Sequence, residues 1–236
     1  MKKHKSWFLP DAEEHFITQM EEKNTDGYQV ESRQSILKTV SELVNFKPKL
    51  AIDIGANVGF WTKDFCETFE KVIAFEPIPS NVECLKKNVP NTNLEIKEYA
   101  LGARKQDTDI FFPQNGNSGS ATFSPSNLVD ESEIQKVPTK IRTLDDELVN
   151  VSEELAQNCL IKIDVQGYEK EDDGIYWGMA DTIMLKDQYT QADKDEKKRI
   201  RESDPVVDGE VVMIEGKPYK AYVLGDFSNC VVFDPA

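Results

Sequence analysis

Histidine is almost missing from this chain of 236 residues, which holds only His4 and His15. Both stand in the N-terminal stretch, outside the region where catalysis is expected. Their scarcity argues against Ser-His or Cys-His nucleophiles and against metal sites built on imidazole, and no metal ligand set is expected. Cysteine is equally sparse: Cys66, Cys84, Cys159 and Cys230 are far apart and form no Cys-x-x-Cys pair. That spacing supports neither a zinc site nor a disulfide framework, and buried thiols in a reducing cytoplasm are the expectation. Positive charge is short as well, with 28 Lys and Arg against 43 Asp and Glu and a net charge of −15. Nucleic-acid binding needs a basic surface and is not expected here. Apolar runs long enough for a membrane span are absent too, so no membrane partner is expected. The basic start Met1–Pro10 has no apolar stretch behind it and meets Asp11, Glu13 and Glu14 at once, which does not read as a signal peptide.

What remains is the composition of a folded domain, 39% hydrophobic and 30% charged, without a repeat of 20 to 50 residues. Three textures divide it. Residues 1–47 are polar with one stretch of helical spacing, Ser32 to Asn45, for which Ser32 is the candidate N-cap. From 48 to 170, apolar strand-like runs at Lys49–Ile54, Lys71–Phe75, Leu94–Leu101 and Cys159–Val165 alternate with helical patterns at Val58–Phe69, from Ser80, and at Leu144–Leu155 behind a Thr143 cap. Alternation of this kind predicts a parallel sheet with right-handed crossovers. Short strand-like pieces, Ile110–Phe112, Ala121–Phe123 and Lys140–Arg142, surround a polar loop at 114–120. Residues 171–236 are more acidic, with a charged helical stretch from Gln191 to Glu202. Three strand-like runs follow, Glu210–Glu215, Tyr219–Leu224 and Cys230–Phe233, spaced like an antiparallel meander.

Chemistry concentrates at two strand ends. Asp53-Ile-Gly-Ala-Asn-Val-Gly59 sits between a strand and a helix, where Gly55 and Gly59 permit a tight turn and close approach of a ligand. Asn57 stands where a dinucleotide fingerprint needs glycine, which disfavours a nucleotide-dependent dehydrogenase, and no Gly-Lys-Ser/Thr follows as a P-loop requires. Asp53 before the first glycine suits a cationic ligand better than a phosphate. Glu76, at the end of the next strand, is placed to accept both hydroxyls of a ribose. Together these suit the S-adenosylmethionine (SAM) site of a Rossmann-like methyltransferase.

The motifs around 141–169 are more particular. Ile141-Arg-Thr-Leu-Asp-Asp-Glu-Leu148, Leu160-Ile-Lys-Ile-Asp-Val-Gln-Gly-Tyr-Glu169, Ala74-Phe-Glu-Pro77 and Ala100-Leu-Gly102 resemble the FkbM methyltransferase family, as does Tyr28-Gln29 with the helix near Ser32. The resemblance covers about residues 27–170. It implies an α/β, Rossmann-like methyltransferase sheet with helices on both faces, followed by a small, mainly β C-terminal segment. It implies SAM as cofactor: Asp53, Gly55, Asn57 and Gly59 around its methionine part, Glu76 and Pro77 at the ribose, and Gly119 and Ser120 near the adenine. Asp164 would face the SAM amino group or the acceptor. Asp164 and Glu169 are the candidate bases, because methyl transfer from an activated sulfonium asks mainly for alignment and removal of a proton.

After Glu169 the family's pattern of a helix and another buried strand is broken off by Lys170-Glu-Asp-Asp-Gly174. Two readings follow. One is a SAM-dependent O-methyltransferase of a sugar, glycan or small-metabolite hydroxyl or carboxyl. The other is an inactive methyltransferase-derived scaffold carrying a fused C-terminal module.

Overall fold

A computed structural model describes residues 1–42, 47–102, 104–113, 121–123, 134–149, 151 and 159–164, with the backbone of 210–214, 217–223 and 230–235. The 165–169 part of the last motif, the 114–120 loop and the charged stretch 191–202 lie outside those residues. The chain opens with a hairpin, β1 (Lys2–His4) and β2 (Trp7–Leu9), then α1 (His15–Glu22) and α2 (Val30–Glu42). The core follows as β3 (Leu50–Ile54), α3 (Phe60–Thr68), β4 (Lys71–Phe75), α4 (Pro79–Asn88) and β5 (Leu94–Lys97). Then come β6 (Ala100–Leu101), β7 (Gln106–Pro113), β8 (Ile134–Arg142), α5 (Leu144–Leu148) and β9 (Cys159–Ile163), and last β10 (Glu210–Ile214), β11 (Lys217–Val223) and β12 (Cys230–Pro235).

The main sheet has seven strands in the order β10-β11-β12-β9-β3-β4-β5. Its half from β9 to β5 is parallel, as the strand–helix alternation requires. Beside β9, where a further parallel strand would continue the family pattern, β12 runs antiparallel and draws the meander β10–β12 into the same sheet.

Side-chain alternation sorts the parallel strands into two faces. On one, small residues Ala51, Val72 and Ala74 with Leu160 let α2, α3 and α4 approach through Ile36, Val40, Phe65, Phe69 and Leu85. On the other, Leu50, Ile52, Ile73 and Phe75 meet Leu144 and Leu148 of α5 and Leu101 of β6. Phe65, Phe75 and Leu85 are almost fully buried, each burial contributing about 1.5–3 kcal/mol.

Three details differ from the sequence expectations. Ser32 lies inside α2, which begins at Val30, so it is not the N-cap. The run Leu94–Leu101 is two strands in two sheets, because β6 leaves β5's sheet to pair with β8. The N-terminal hairpin and α1 were not anticipated, since three-residue strands and an eight-residue helix give too little periodicity to read. Thr143 does cap α5, its hydroxyl accepting from the Asp146 N–H.

Candidate active site

The turn after β3 is held in an unusual backbone shape. Gly55, Asn57 and Gly59 all have positive φ, at 77°, 51° and 95°. Glycine is needed at 59 for space as well, because an added Cβ would come within 2.5 Å of Leu85 Cδ1 and 2.9 Å of Val89 Cγ2. Gly59 thus serves the contact between α3 and α4 and is not part of the cavity wall.

Every N–H of this turn is already bonded. Gly55 and Ala56 both donate to the Phe75 carbonyl at 3.0 Å, and Gly59 donates to Ala56 at 2.9 Å. Asn57 N donates to Glu76 Oε2, and Val58 N to the Asn57 side-chain oxygen, both at 2.8 Å. The turn therefore offers no free N–H to a phosphate, in contrast to glycine loops that bind dinucleotides.

Glu76 is 4% exposed and lies just past β4. Besides Asn57 N, its carboxylate accepts from Ile78 N at 2.9 Å and from Asn81 Nδ2 at 3.2 Å. Burial outweighs these donors and pushes its pKa up to about 7.

Asp53 behaves differently. It shares a sheet face with its register partner Lys162 on β9, and Lys162 Nζ sits 3.1 Å from Asp53 Oδ1 while donating to the Gly55 carbonyl at 2.9 Å. Thr62 of α3 donates to the other carboxylate oxygen at 2.6 Å. Asp53 is fully buried and faces these partners, outside the cavity wall.

A cavity of roughly 200 Å³ opens over the strand ends. Gly55, Asn57, Glu76, Pro77 and Asp164 all line it, so five of the candidate residues meet at one place. Apolar side chains of Ile78, Ile110 and Phe123 form one side, brought there by β7 and the Phe111–Thr122 bridge of the small sheet β6-β8-β7. Asp164 follows β9 directly, its N–H donating to the Ile54 carbonyl at 3.0 Å. Gly119, Ser120 and Glu169 lie outside the described residues.

The wall also contains residues outside the candidate site set. His15 and Phe16 from α1, Tyr28 and Gln29 from the turn before α2, and Trp61 from α3 all face the cavity. His15 stands outside the 48–170 core in sequence but reaches the cavity, because α1 packs through Phe16 against Phe60 at the start of α3, with ring centroids 5.2 Å apart. Tyr28 has its pKa raised by burial and then by the negative charge of Asp164. Lys162, also absent from the candidates, is the ammonium of this wall. The cysteines Cys66, Cys84 and Cys159 are buried free thiols, pushed up to about 12, 11 and 12 by burial, and are inert as nucleophiles. Among the described residues no helix is long and apolar enough to cross a membrane.

No protein of curated function matches the sequence. Among solved structures, similarity is found to a SAM-dependent methyltransferase from Leishmania major, 17% identical, covering 29% of this chain and 28% of that one at a TM-score of 0.27. A phosphoethanolamine N-methyltransferase from Haemonchus contortus, in complex with phosphoethanolamine and S-adenosylhomocysteine, is 14% identical over 87% of this chain and 43% of its own, with a TM-score of 0.30. A precorrin 8w decarboxylase from Methanobacterium thermoautotrophicum is 11% identical, covering 97% of this chain and all of that one, with a TM-score of 0.31. Superpositions this loose carry no argument about activity, and the chain spans well under half of the first two proteins. The sequence itself is decisive: the model of the methyltransferase FkbM domain matches residues 53–171, half of the chain, and the protein belongs to that family.

Proposed function

We propose that this protein is a SAM-dependent methyltransferase that methylates an oxygen of a sugar or other small metabolite. The observation that carries the reading is Glu76, a carboxylate anchored by two backbone N–H groups and an amide at the lip of the cavity. Its Oε2 accepts a single N–H, which leaves it acceptor capacity for the hydroxyls of a ribose.

The rest of the wall fits the same group. A turn with no spare N–H and carboxylates at its edge suits a cationic amino acid and a diol, with no phosphate. Gly55, Asn57 and Asp164 would lie along the methionine part, Glu76 and Pro77 at the ribose, and Ile78, Ile110 and Phe123 against the base. Gly119 and Ser120 are proposed near the adenine, and Glu169 remains a proposed second base beside Asp164.

When bound, SAM supplies a methyl group already activated by its sulfonium. The chain's own residues then align the acceptor, exclude water and receive a proton. The acidity of the whole chain supports a small-molecule or glycan acceptor over a nucleic acid. Three buried free thiols support a reducing, cytoplasmic setting.

Calorimetric titration with SAM and with S-adenosylhomocysteine tests this directly. Micromolar binding by the wild type, weakened at least tenfold in Glu76→Gln, is the expected outcome. No heat from a folded wild-type chain at millimolar ligand removes the reading.

A further inference from the structure

The cavity wall has two origins. The turn after β3, Glu76 and Asp164 fall within residues 53–171, the part that the FkbM domain matches. Tyr28 and Gln29 lie ahead of it, within the longer resemblance over 27–170, and His15 and Phe16 lie ahead of both, yet all four face the same space. An accessory segment that adds wall to a cofactor site is well placed to choose the second substrate.

Its chemistry is specific. Phe16, Tyr28 and Phe60 form one aromatic surface, with centroids 4.9 Å apart for Phe16–Tyr28 and 5.9 Å for Tyr28–Phe60. Trp61 Nε1 donates to the Gln29 amide oxygen at 3.4 Å and ties this surface to α3. His15 touches it edge-on, 5.7 Å from the ring centroids of both Phe16 and Tyr28. Its imidazole makes no hydrogen bond among the described residues, although its backbone N–H is bonded to Glu13 Oε1 at 2.9 Å. Glu76 already holds three donors, and Lys162 is engaged with Asp53 and Gly55.

The charge balance matters equally. Among the described residues the wall carries the carboxyls of Glu76 and Asp164 and one ammonium, Lys162, that already faces Asp53. An anionic acceptor finds no cation among the described wall residues that is not already paired, whereas aromatic faces, an amide and a phenol suit an uncharged ring bearing hydroxyls.

From this arrangement, and resting on the methyltransferase reading above, we propose that the N-terminal segment forms the acceptor site, that the acceptor is an uncharged hydroxyl compound, and that His15, rather than Asp164 or Glu169, is its general base. The acceptor O–H proton passes to an imidazole nitrogen as the oxygen forms its bond to the methyl carbon. The C–S bond breaks with its electron pair on sulfur. The products are a methyl ether, S-adenosylhomocysteine and an imidazolium, which returns the proton to water. The titratable groups near His15 are Glu13, which accepts from its backbone N–H just before the helix, the Lys2–Glu14 pair beside it, Tyr28, and on the same cavity wall Glu76, Asp164 and Lys162.

Two measurements test this. With only two histidines in the chain, imidazole NMR signals assign cleanly through His15→Gln. With S-adenosylhomocysteine bound, uncharged methyl glycosides and phenols should move the His15 signals and leave those of His4 in place, while uronic acids and sugar phosphates move neither. With tritiated-methyl SAM, label should enter members of the uncharged group alone. At SAM concentrations that saturate the site at every pH, His15→Gln should lower kcat about a hundredfold and abolish the acid limb of its pH profile, as loss of a general base does. Its KM should change only slightly, and its affinity for S-adenosylhomocysteine should stay within twofold of wild type. The proposal is overturned by label in the charged acceptors, by a wild-type kcat and acid limb in His15→Gln, or by His15 signals that no uncharged probe shifts. Failure of the wild type to bind S-adenosylhomocysteine would instead remove the methyltransferase reading itself.

Discussion

The ends of β3 and β4 each present a buried carboxylate before a turn, and the two are used in contrasting ways. Asp53 still belongs to its strand, so its side chain follows the alternation of Ala51 and turns toward α3, where Thr62 and Lys162 receive it. Glu76 comes one residue after its strand, and its backbone N–H bonds to Lys97 of β5 while its side chain collects the N–H groups of Asn57 and Ile78. One acid is balanced by a lysine and closed off. The other is held mainly by N–H dipoles, with a lesser pull from the Lys162 charge, keeps an elevated pKa and borders the cavity. Glu76 stands two positions past Ala74, the register partner of Asp53, and that step off the strand end separates a group that holds the fold from a group positioned to hold a ligand.

This contrast can be tested by removing each side's partner. The largest effect is expected from Lys162→Met, which strands the Asp53 charge in the interior. Chemical denaturation should show a loss of about 3–5 kcal/mol, the range seen when a buried pair loses one member. If Lys162→Met costs under 1 kcal/mol, the Asp53 pair is not what fastens β9 to the turn. Glu76→Gln should instead spare much of the stability and act on affinity, and SAM binding weakened tenfold to a hundredfold corresponds to about 1.4–2.8 kcal/mol.

The elevated pKa of Glu76 sharpens the comparison by giving it a pH signature. A diol is bound best by the carboxylate, so SAM affinity should fall as the pH drops through about 7, reaching tenfold per unit well below it. Fold stability should respond to the same group with the opposite sign. The folded pKa exceeds the unfolded one near 4.5, so the contribution of Glu76 is fully present below 4.5 and lost as pH rises through about 7. Parallel calorimetry and denaturation at pH 6 and 8 would expose both trends; an affinity flat across this window would contradict a ligand-holding carboxylate. The smallest effect is expected at Thr62→Val, which removes one donor from Asp53 and should cost about 1–2 kcal/mol in a melt without altering SAM affinity.

How far such a site is legible depends on sequence distance. The parallel strands and the turn between Asp53 and Gly59 are local patterns, so periodicity and glycine placement locate them within one or two residues. Whether Asp53 faces a ligand is a different matter. The answer needs its register against Lys162, a residue 109 positions away on a strand that becomes its neighbour only in the sheet. Gly59 illustrates the same limit: the residue type was correctly singled out, but the close neighbours are Leu85 and Val89 of the next helix. His15 is farthest from reach, because nothing near it in the chain marks catalysis and only the packing of Phe16 on Phe60 brings it to the cavity. The switch of the C-terminal strands into the main sheet was likewise hidden, since a meander's hairpin spacing says nothing about which outside strand it joins.

That switch bears on the order in which the molecule is made. β9, which leads into Asp164, finds β3 as soon as it leaves the ribosome, but its other edge must wait for residues 230–235. Throughout that interval a buried-type strand presents an unpaired row of N–H and C=O groups, the kind of edge that recruits other nascent chains. Assembly of the acceptor side and protection of that edge are therefore separate events in the life of the chain, the first set by its opening residues and the second by a strand translated long afterwards.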